Sequence, residues 1–284
     1  MEKIAVVTDT GSNLSFTQAK ELGIYLLPLQ ITIDETTYQD TLEISTQDIY
    51  NELANGKMPK TSMAAYQKIY DLFEELKKEY DTVFAIPLTN GLSTNASTMQ
   101  SIARELEMNV HVIDMYATCA LEKHIAIWIK KLVDENKSSE EILKIIQPAI
   151  DESNSLILVK NLQHLKRGGR LTPMAATLAG LLKIYPILHI NKSTEGRIDV
   201  LNKVRTEKRA DAYAIDKVID DIDIEHTVIY IIHSNFLEGA NHFKKCFIEK
   251  GVPEQNIHID YISSVIAVHT GLGCIAIQYI REEN

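Results

Sequence analysis

The chain lacks most of the features that would assign it quickly. Only three cysteines occur in 284 residues, Cys119, Cys246 and Cys274. They are far apart and never in Cys-x-x-Cys spacing, which argues against a disulfide scaffold or a zinc ribbon and fits reduced thiols in a cytoplasm. No apolar run nears the about 20 residues of a membrane span, so no integral membrane segment is expected. Met1-Glu2-Lys3 leads into an apolar run over residues 4–7 that Asp9 soon ends, which predicts no secretory leader. Positive charge is in deficit: 29 Lys and Arg against 39 Asp and Glu give a net charge of −10. An acidic surface repels phosphate backbones, so nucleic acid is not an expected partner. Nine histidines are present, but there is no His-x-x-x-His and no His/Cys cluster with metal-ligand spacing, so no metal site is expected.

What is present is a chain rich enough in apolar residues, 45%, to bury a sizeable core, and too long for one ordinary core. The first half alternates strand and helix. A β-branched run over 4–8 is followed by a helix from about Ser15 to Gly23, a strand over 24–33, and a helix opened by the capping pair Ser45 and Asp48. A helix over 64–80, a strand over 82–88, a helix from about Ser93, a strand over 110–113 and a helix over 118–133 follow. Ser138 and Glu141 open the next helix. This alternation predicts a parallel sheet flanked by helices, with the loops 9–13, 89–93 and 114–118 on one sheet edge, where such folds bind ligands. The second half changes rhythm. Strands over 186–191 and 198–204, joined by a six-residue turn, form an antiparallel hairpin. Further strands are expected over 156–159, 228–233 and 257–262, helices over 207–222 and 236–250, and a final run over 274–280. The reading is therefore an α/β protein of two lobes, residues 1–153 with a parallel sheet and 154–284 with a mixed sheet. The boundary falls at the polar stretch 151–155.

Several strings carry possible chemistry. Asp9-Thr10-Gly11-Ser12 matches an aspartic-protease string, but that chemistry needs a second Asp-Thr/Ser-Gly string to supply the other carboxylate, and the sequence has no second one. It reads as a polar turn after the first strand, with Asp9 a lesser candidate for lining a cleft. Gly91-Leu92-Ser93-Thr94-Asn95 approaches a nucleophile elbow, and His269 lies downstream in the order of a serine hydrolase. Asn95 stands where the elbow needs its second glycine, so an esterase using Ser93 and His269 is the lesser alternative. Ser93 could also cap its helix, or donate to a ligand anion at the helix start. Thr61-Ser62 precedes a helix and reads, alone, as an N-cap. Lys166-Arg167-Gly168-Gly169-Arg170 is a cationic loop whose glycines permit a tight turn with positive φ and whose arginines suit a carboxylate or phosphate. Val268-His269-Thr270-Gly271-Leu272-Gly273 sets a histidine among close-packing glycines.

Taken in order, Val7-Thr8-Asp9, Thr61-Ser62, Leu92-Ser93, 165–171, Val204-Arg205-Thr206 and 269–273 resemble the DegV family of fatty-acid-binding proteins, over about residues 3–281. The resemblance implies one long-chain fatty acid, such as palmitate or oleate, buried between or within two lobes, with no other cofactor and no catalysis by this chain. Thr61 and Ser93, with Ser62 beside them, would meet the carboxylate through hydroxyls, and His269 would be a further head-group contact. Arg170 and Arg205 would lie at the pocket mouth, facing a fatty-acid kinase that performs the chemistry. The apolar stretches 175–182 and 265–268 are candidate tunnel walls. The sequence departs from the family pattern at Thr94 and Asn95, at Tyr185, at Leu272 and at Met115.

Overall fold

The computed structural model describes residues 2–181 and 183–282. In chain order the first half comprises β1 (Ile4–Asp9), α1 (Phe16–Leu22), β2 (Tyr25–Leu27), β3 (Gln30–Ile33), β4 (Thr36–Gln39), α2 (Thr46–Ala54), β5 (Lys60–Ser62), α3 (Tyr66–Leu76), β6 (Thr82–Ile86), α4 (Asn95–Glu105), β7 (Val110–Val112), α5 (Ala120–Asp134) and α6 (Ser139–Glu152). The second half comprises β8 (Asn154–Leu158), α7 (Leu162–Arg167), α8 (Pro173–Leu178), β9 (Tyr185–Ile190), β10 (Asp199–Val204), α9 (Glu207–Asp221), β11 (Thr227–His233), α10 (Leu237–Glu249), β12 (Ile257–Tyr261), α11 (Ser264–Thr270) and β13 (Ile275–Arg281).

Strands β2-β1-β6-β7 form a wholly parallel sheet in that order. Every residue of β1 and β6 is buried, as central strands covered on both faces must be. Their side chains alternate between two cores. Val6, Phe84 and Ile86 meet Leu121, Ile125 and Ile129 of α5 on one face. Val7, Val83 and Ala85 meet Ile69, Phe73 and Leu76 of α3 on the other. The α3 and α5 residues recur at helical i, i+3/i+4, i+7/i+8 spacing. The capping boxes at Ser45 and Ser138 form as expected, and Gly23 closes α1 at φ +67.

The second sheet runs β10-β9-β8-β13-β11-β12. It is antiparallel except for β11 and β12, the pair that α10 connects. Ile157, Leu188, Ile190 and Ile232 face one core. Leu156, Ile229, Ile231 and Ile277 face the other, under α9 and α10. Buried Gln278 on β13 ties the two halves together. Its Oε1 accepts from the N–H groups of Ala120 and Leu121 at 3.0 and 3.4 Å, and its Nε2 donates to the Thr118 carbonyl at 2.9 Å and Ser155 Oγ at 3.0 Å. Among the described residues no helix is long and apolar enough to cross a membrane.

Three expectations fail for identifiable reasons. The strand expected over 24–33 is two strands in different sheets. Pro28, which has no N–H for a ladder, separates β2 from β3, and β3 pairs with β4 and β5 in a small antiparallel sheet. Thr61 and Ser62 do not cap a helix: they lie on β5, and the residue before α3 is Ala65, with no side-chain cap. Ser93 does not cap the helix expected from about that residue: α4 starts at Asn95 with Thr94 before it and no side-chain cap. The Ser93 hydroxyl accepts from the Asn95 N–H at 3.2 Å, a local turn contact.

Candidate functional site

Thr61 reaches its place through non-local pairing. On β5 it faces Ile31 of β3, and alternation along a strand sends Thr61 and Ser62 to opposite faces. Thr61 Oγ1 lies 2.7 Å from His269 Nε2, while the Ser62 hydroxyl donates to Gln30 Oε1 at 3.1 Å. His269 sits in the last turn of α11, an unforeseen helix whose Val265 and Val268 pack into the core around β1 and α3. The short run 264–270 was legible only as an apolar stretch. A cleft of about 430 Å³ opens between these elements, and Thr61, Ser62, Ser93, Thr94, Arg170 and His269 all line it. Leu29, Leu88, Val265 and Ile266 give it an apolar interior.

The cationic string 166–170 is not a plain loop. Its first two residues end α7, and Gly168 caps that helix in ordinary helical geometry at φ −64. Only Gly169 takes positive φ, at +73. Gly168 is needed for space: a Cβ there would stand 2.7 Å from His269 Nδ1. Arg170 donates from Nη1 to the Gly168 carbonyl at 2.7 Å and from Nε to the Leu92 carbonyl at 3.4 Å. These contacts hold its guanidinium at the cleft wall.

Burial, with Arg170 and His164 adding like charge, drives the His269 pKa down to about 3. The ring is neutral at ordinary pH and carries one N–H. Nδ1 is buried with no hydrogen-bond partner. A proton there would be an orphaned donor, which costs about 1–3 kcal/mol, so the proton belongs on Nε2. Nε2–H then donates to Thr61 Oγ1, and the Thr61 O–H is free to donate into the cleft. Among the described residues His269 Nδ1 has no hydrogen-bond partner, and Nε2 meets Thr61 rather than Ser93.

Other expected residues fall elsewhere. Arg205 is exposed just beyond β10 and is not among the residues lining this cleft. The Thr94 hydroxyl points at Met63 Sδ, 3.5 Å away. Met115 is fully buried in the core under α5, and Tyr185 lines a different cavity. Of the stretch 175–182, Ala175 joins the core on the cleft side of the second sheet, Leu181 is half exposed, and Leu182 lies outside the described residues. Among the described residues no three metal-ligating side chains converge.

The loops after β1, β6 and β7 do meet at one edge. Asp9 is fully buried beneath that edge and is not among the residues lining the Thr61 cleft. Its carboxylate accepts from Gly11 N at 2.8 Å, Leu88 N at 2.9 Å and Asn95 Nδ2 at 2.6 Å. Asp114 accepts from Asn90 N at 3.1 Å and Tyr116 N at 2.8 Å. Sequence reasoning missed Glu122, which is also fully buried. Its Oε1 lies 3.2 Å from Thr8 Oγ1, and its carboxyl also hydrogen-bonds Asp9. Burial raises the Asp9 pKa despite its three donors, and burial, then the Asp9 charge, push the Glu122 pKa well up; with the donors gathered on Asp9, Glu122 is the member of the pair that keeps the proton.

The DegV family model, described as "Uncharacterised protein, DegV family", matches residues 3–282. The chain belongs to the DegV family. A DegV domain-containing protein of Halalkalibacterium halodurans is 32% identical over the full length of both chains, and one of Listeria innocua is 30% identical over 98% of each. Among solved structures, the fatty acid binding DegV family protein of Streptococcus agalactiae superposes with a TM-score of 0.91 at 29% identity, covering both chains completely. DegV, a fatty acid binding protein from Bacillus subtilis, gives 0.87 at 27% identity, covering 99% of this chain and all of that one. The α/β architecture, with one parallel and one mixed sheet, is that of these DegV structures.

Proposed function

We propose that this chain binds one long-chain fatty acid, such as palmitate or oleate, between two lobes meeting at residues 153 and 154. The chain would carry the acid without reacting with it. The observation that carries the reading is Thr61 Oγ1 within 2.7 Å of His269 Nε2 in a cleft lined by the hydroxyls of Thr61, Ser62 and Ser93, by Arg170 and by apolar side chains. The fatty-acid binding stated for the Streptococcus agalactiae and Bacillus subtilis relatives supports it. In this reading the Thr61 and Ser93 hydroxyls donate to the carboxylate. His269 orients Thr61, and Arg170 adds positive potential beside them. Ser62 contributes less, because its hydroxyl is engaged by Gln30. A C16 tail supplies on the order of 10 kcal/mol gross, at about 0.8 kcal/mol per buried CH₂. Each hydrogen bond to the charged head contributes about 1.5–3 kcal/mol. The tail therefore sets affinity, and the head-group residues set orientation and reject neutral lipids.

The bound acid would be handed to a separate fatty-acid kinase in the cytoplasm, where unpaired thiols such as Cys119, Cys246 and Cys274 persist. Arg170 at the cleft wall would face that partner, with exposed Arg205 farther out. Titrating delipidated protein with palmitate tests the binding site. Thr61→Val and Ser93→Ala are each expected to weaken binding about tenfold or more, from the loss of one charge-assisted hydrogen bond. Wild-type affinity in both variants would place the carboxylate elsewhere.

A further inference from the structure

A second cavity, of about 350 Å³, lies at the end of the mixed sheet and shares no lining residue with the Thr61 cleft. Leu158, Pro186, Phe243 and Ile275 make its apolar surface, between α9 and α10. Its volume is at the lower end of small-molecule pockets, roughly 300–1,000 Å³. Phe236 forms a fixed wall. Its ring lies directly against the α10 backbone, because a Cβ on Gly239 would stand 2.3 Å from it. The Lys160 ammonium sits 4.8 Å from the ring centroid, so the ring already receives a cation on its face.

The charge on this cavity is unbalanced. Glu207, Asp211 and Glu238 line it against one lysine, Lys160, and one histidine, His242, and that lysine is ion-paired with Glu207. Asp211 is half-buried beside Glu207; burial and then Glu207 disfavour its ionised form, outweighing His242 and Lys160. An acidic site of this kind gains most from a bound positive charge. The first turn of α10 already carries Glu238, which answers the positive end of that helix and leaves little there to attract an anion.

We propose that this cavity binds a small organic ammonium, its apolar body seated on Phe236, Phe243 and Pro186 and its charged nitrogen against Asp211 and Glu238. Recognition rests on shape and apolar contact at one end and charge complementarity at the other. It is independent of the fatty-acid site, and both sites can be occupied together.

The test uses the full chain loaded with palmitate and 2-phenylethylammonium as the probe, followed by calorimetry and by amide chemical shifts. The neutral 2-phenylethanol and the anionic 3-phenylpropionate are the comparison ligands. Saturable one-to-one binding of the ammonium is expected, with shifts at Gly239 and Gly273. Asp211→Asn should weaken it about tenfold or more, the loss of one charge-assisted contact, and leave palmitate uptake unchanged. Glu238→Gln should weaken it as well. Absence of saturable binding, equal or tighter binding of the alcohol or the anion, or wild-type affinity in both variants would overturn the proposal. Palmitate uptake, measured on the same samples, reports the other site separately.

Discussion

Replacing Gly168 by alanine sets two effects of opposite sign against each other. Gly168 has helical φ and ψ of −64° and −19°, so alanine fits the backbone and, through the unfolded chain alone, would stabilise by about 0.4–1 kcal/mol. Space opposes this. The new Cβ would stand 2.7 Å from His269 Nδ1, 3.1 Å from the Leu165 carbonyl oxygen and 3.3 Å from His269 Cβ. The carbonyl and Cβ are fixed by α7 and α11, so the ring must swing, and its far nitrogen is the one bonded to Thr61. Overpacking of this kind costs about 1–3 kcal/mol, which outweighs the entropic gain. The expected net loss is about 1 kcal/mol, or roughly 2 °C in Tm for a chain of this size. Palmitate affinity should fall about tenfold or more, because Thr61 loses the donor that orients it. Gly169→Ala is the control. It strains a positive-φ backbone by roughly 1–2 kcal/mol, but nothing lies within 4 Å of its Cβ, so stability falls while affinity holds. Thermal melts and palmitate titrations on both variants decide the matter. A Gly168→Ala protein with raised Tm and unchanged affinity would refute the wedge between Gly168, His269 and Thr61.

Three further outcomes follow from the buried polar groups. Burial raises the folded-state pKa of Glu122 well above its ordinary value and that of Asp40 to about 6, so the folded protein keeps protons that the unfolded chain has released. These two groups therefore contribute stability that is lost as pH rises from about 4 through about 6, by up to about 1.4 kcal/mol per pH unit each, while the buried neutral His269 and His124, lowered to about 3 and about 4, contribute the opposite slope over that window. Glu122→Gln should remove its falling share and so tilt the urea-denaturation profile upward with pH, and an unchanged slope would count against a protonated Glu122. Gln278→Leu leaves the Thr118 carbonyl and the first N–H groups of α5 unpaired, at about 1–3 kcal/mol each. A loss of about 2–5 kcal/mol in chemical denaturation is expected, and a loss below 1 would contradict its role as a tie between the halves. With His269 held at about 3, palmitate affinity should change little between pH 6 and 8. A loss following an ordinary histidine titration near pH 6.5 would show that the ring is charged in the working protein.

Much of the fold was legible because its signals are local. The buried β-branched strands of the parallel sheet, the capping boxes at Ser45 and Ser138 and the antiparallel hairpin around residues 192–197 each announce themselves within a few residues. The three-stranded sheet β4-β3-β5 did not, because β5 has three residues and takes its ladder hydrogen bonds from β3, about thirty residues away. Thr61 consequently read as a helix cap. Helix α11 was hidden for a similar reason: seven residues, mostly small or β-branched, become helical only against the core that Val265 and Val268 complete. Thr61, Ser93, Arg170 and His269 could be singled out through a family resemblance. Neither periodicity nor spacing carries the distance between them. Glu122 carried no local signal, since an acid in an amphipathic helix reads as solvated until the facing Asp9 is placed.

The most direct test of the account is native mass spectrometry of the purified protein, before and after delipidation, followed by addition of palmitate or oleate. The account predicts one long-chain fatty acid per chain as purified, its loss on delipidation, and its one-to-one return. A ligand-free spectrum at purification together with no uptake of either acid would contradict it.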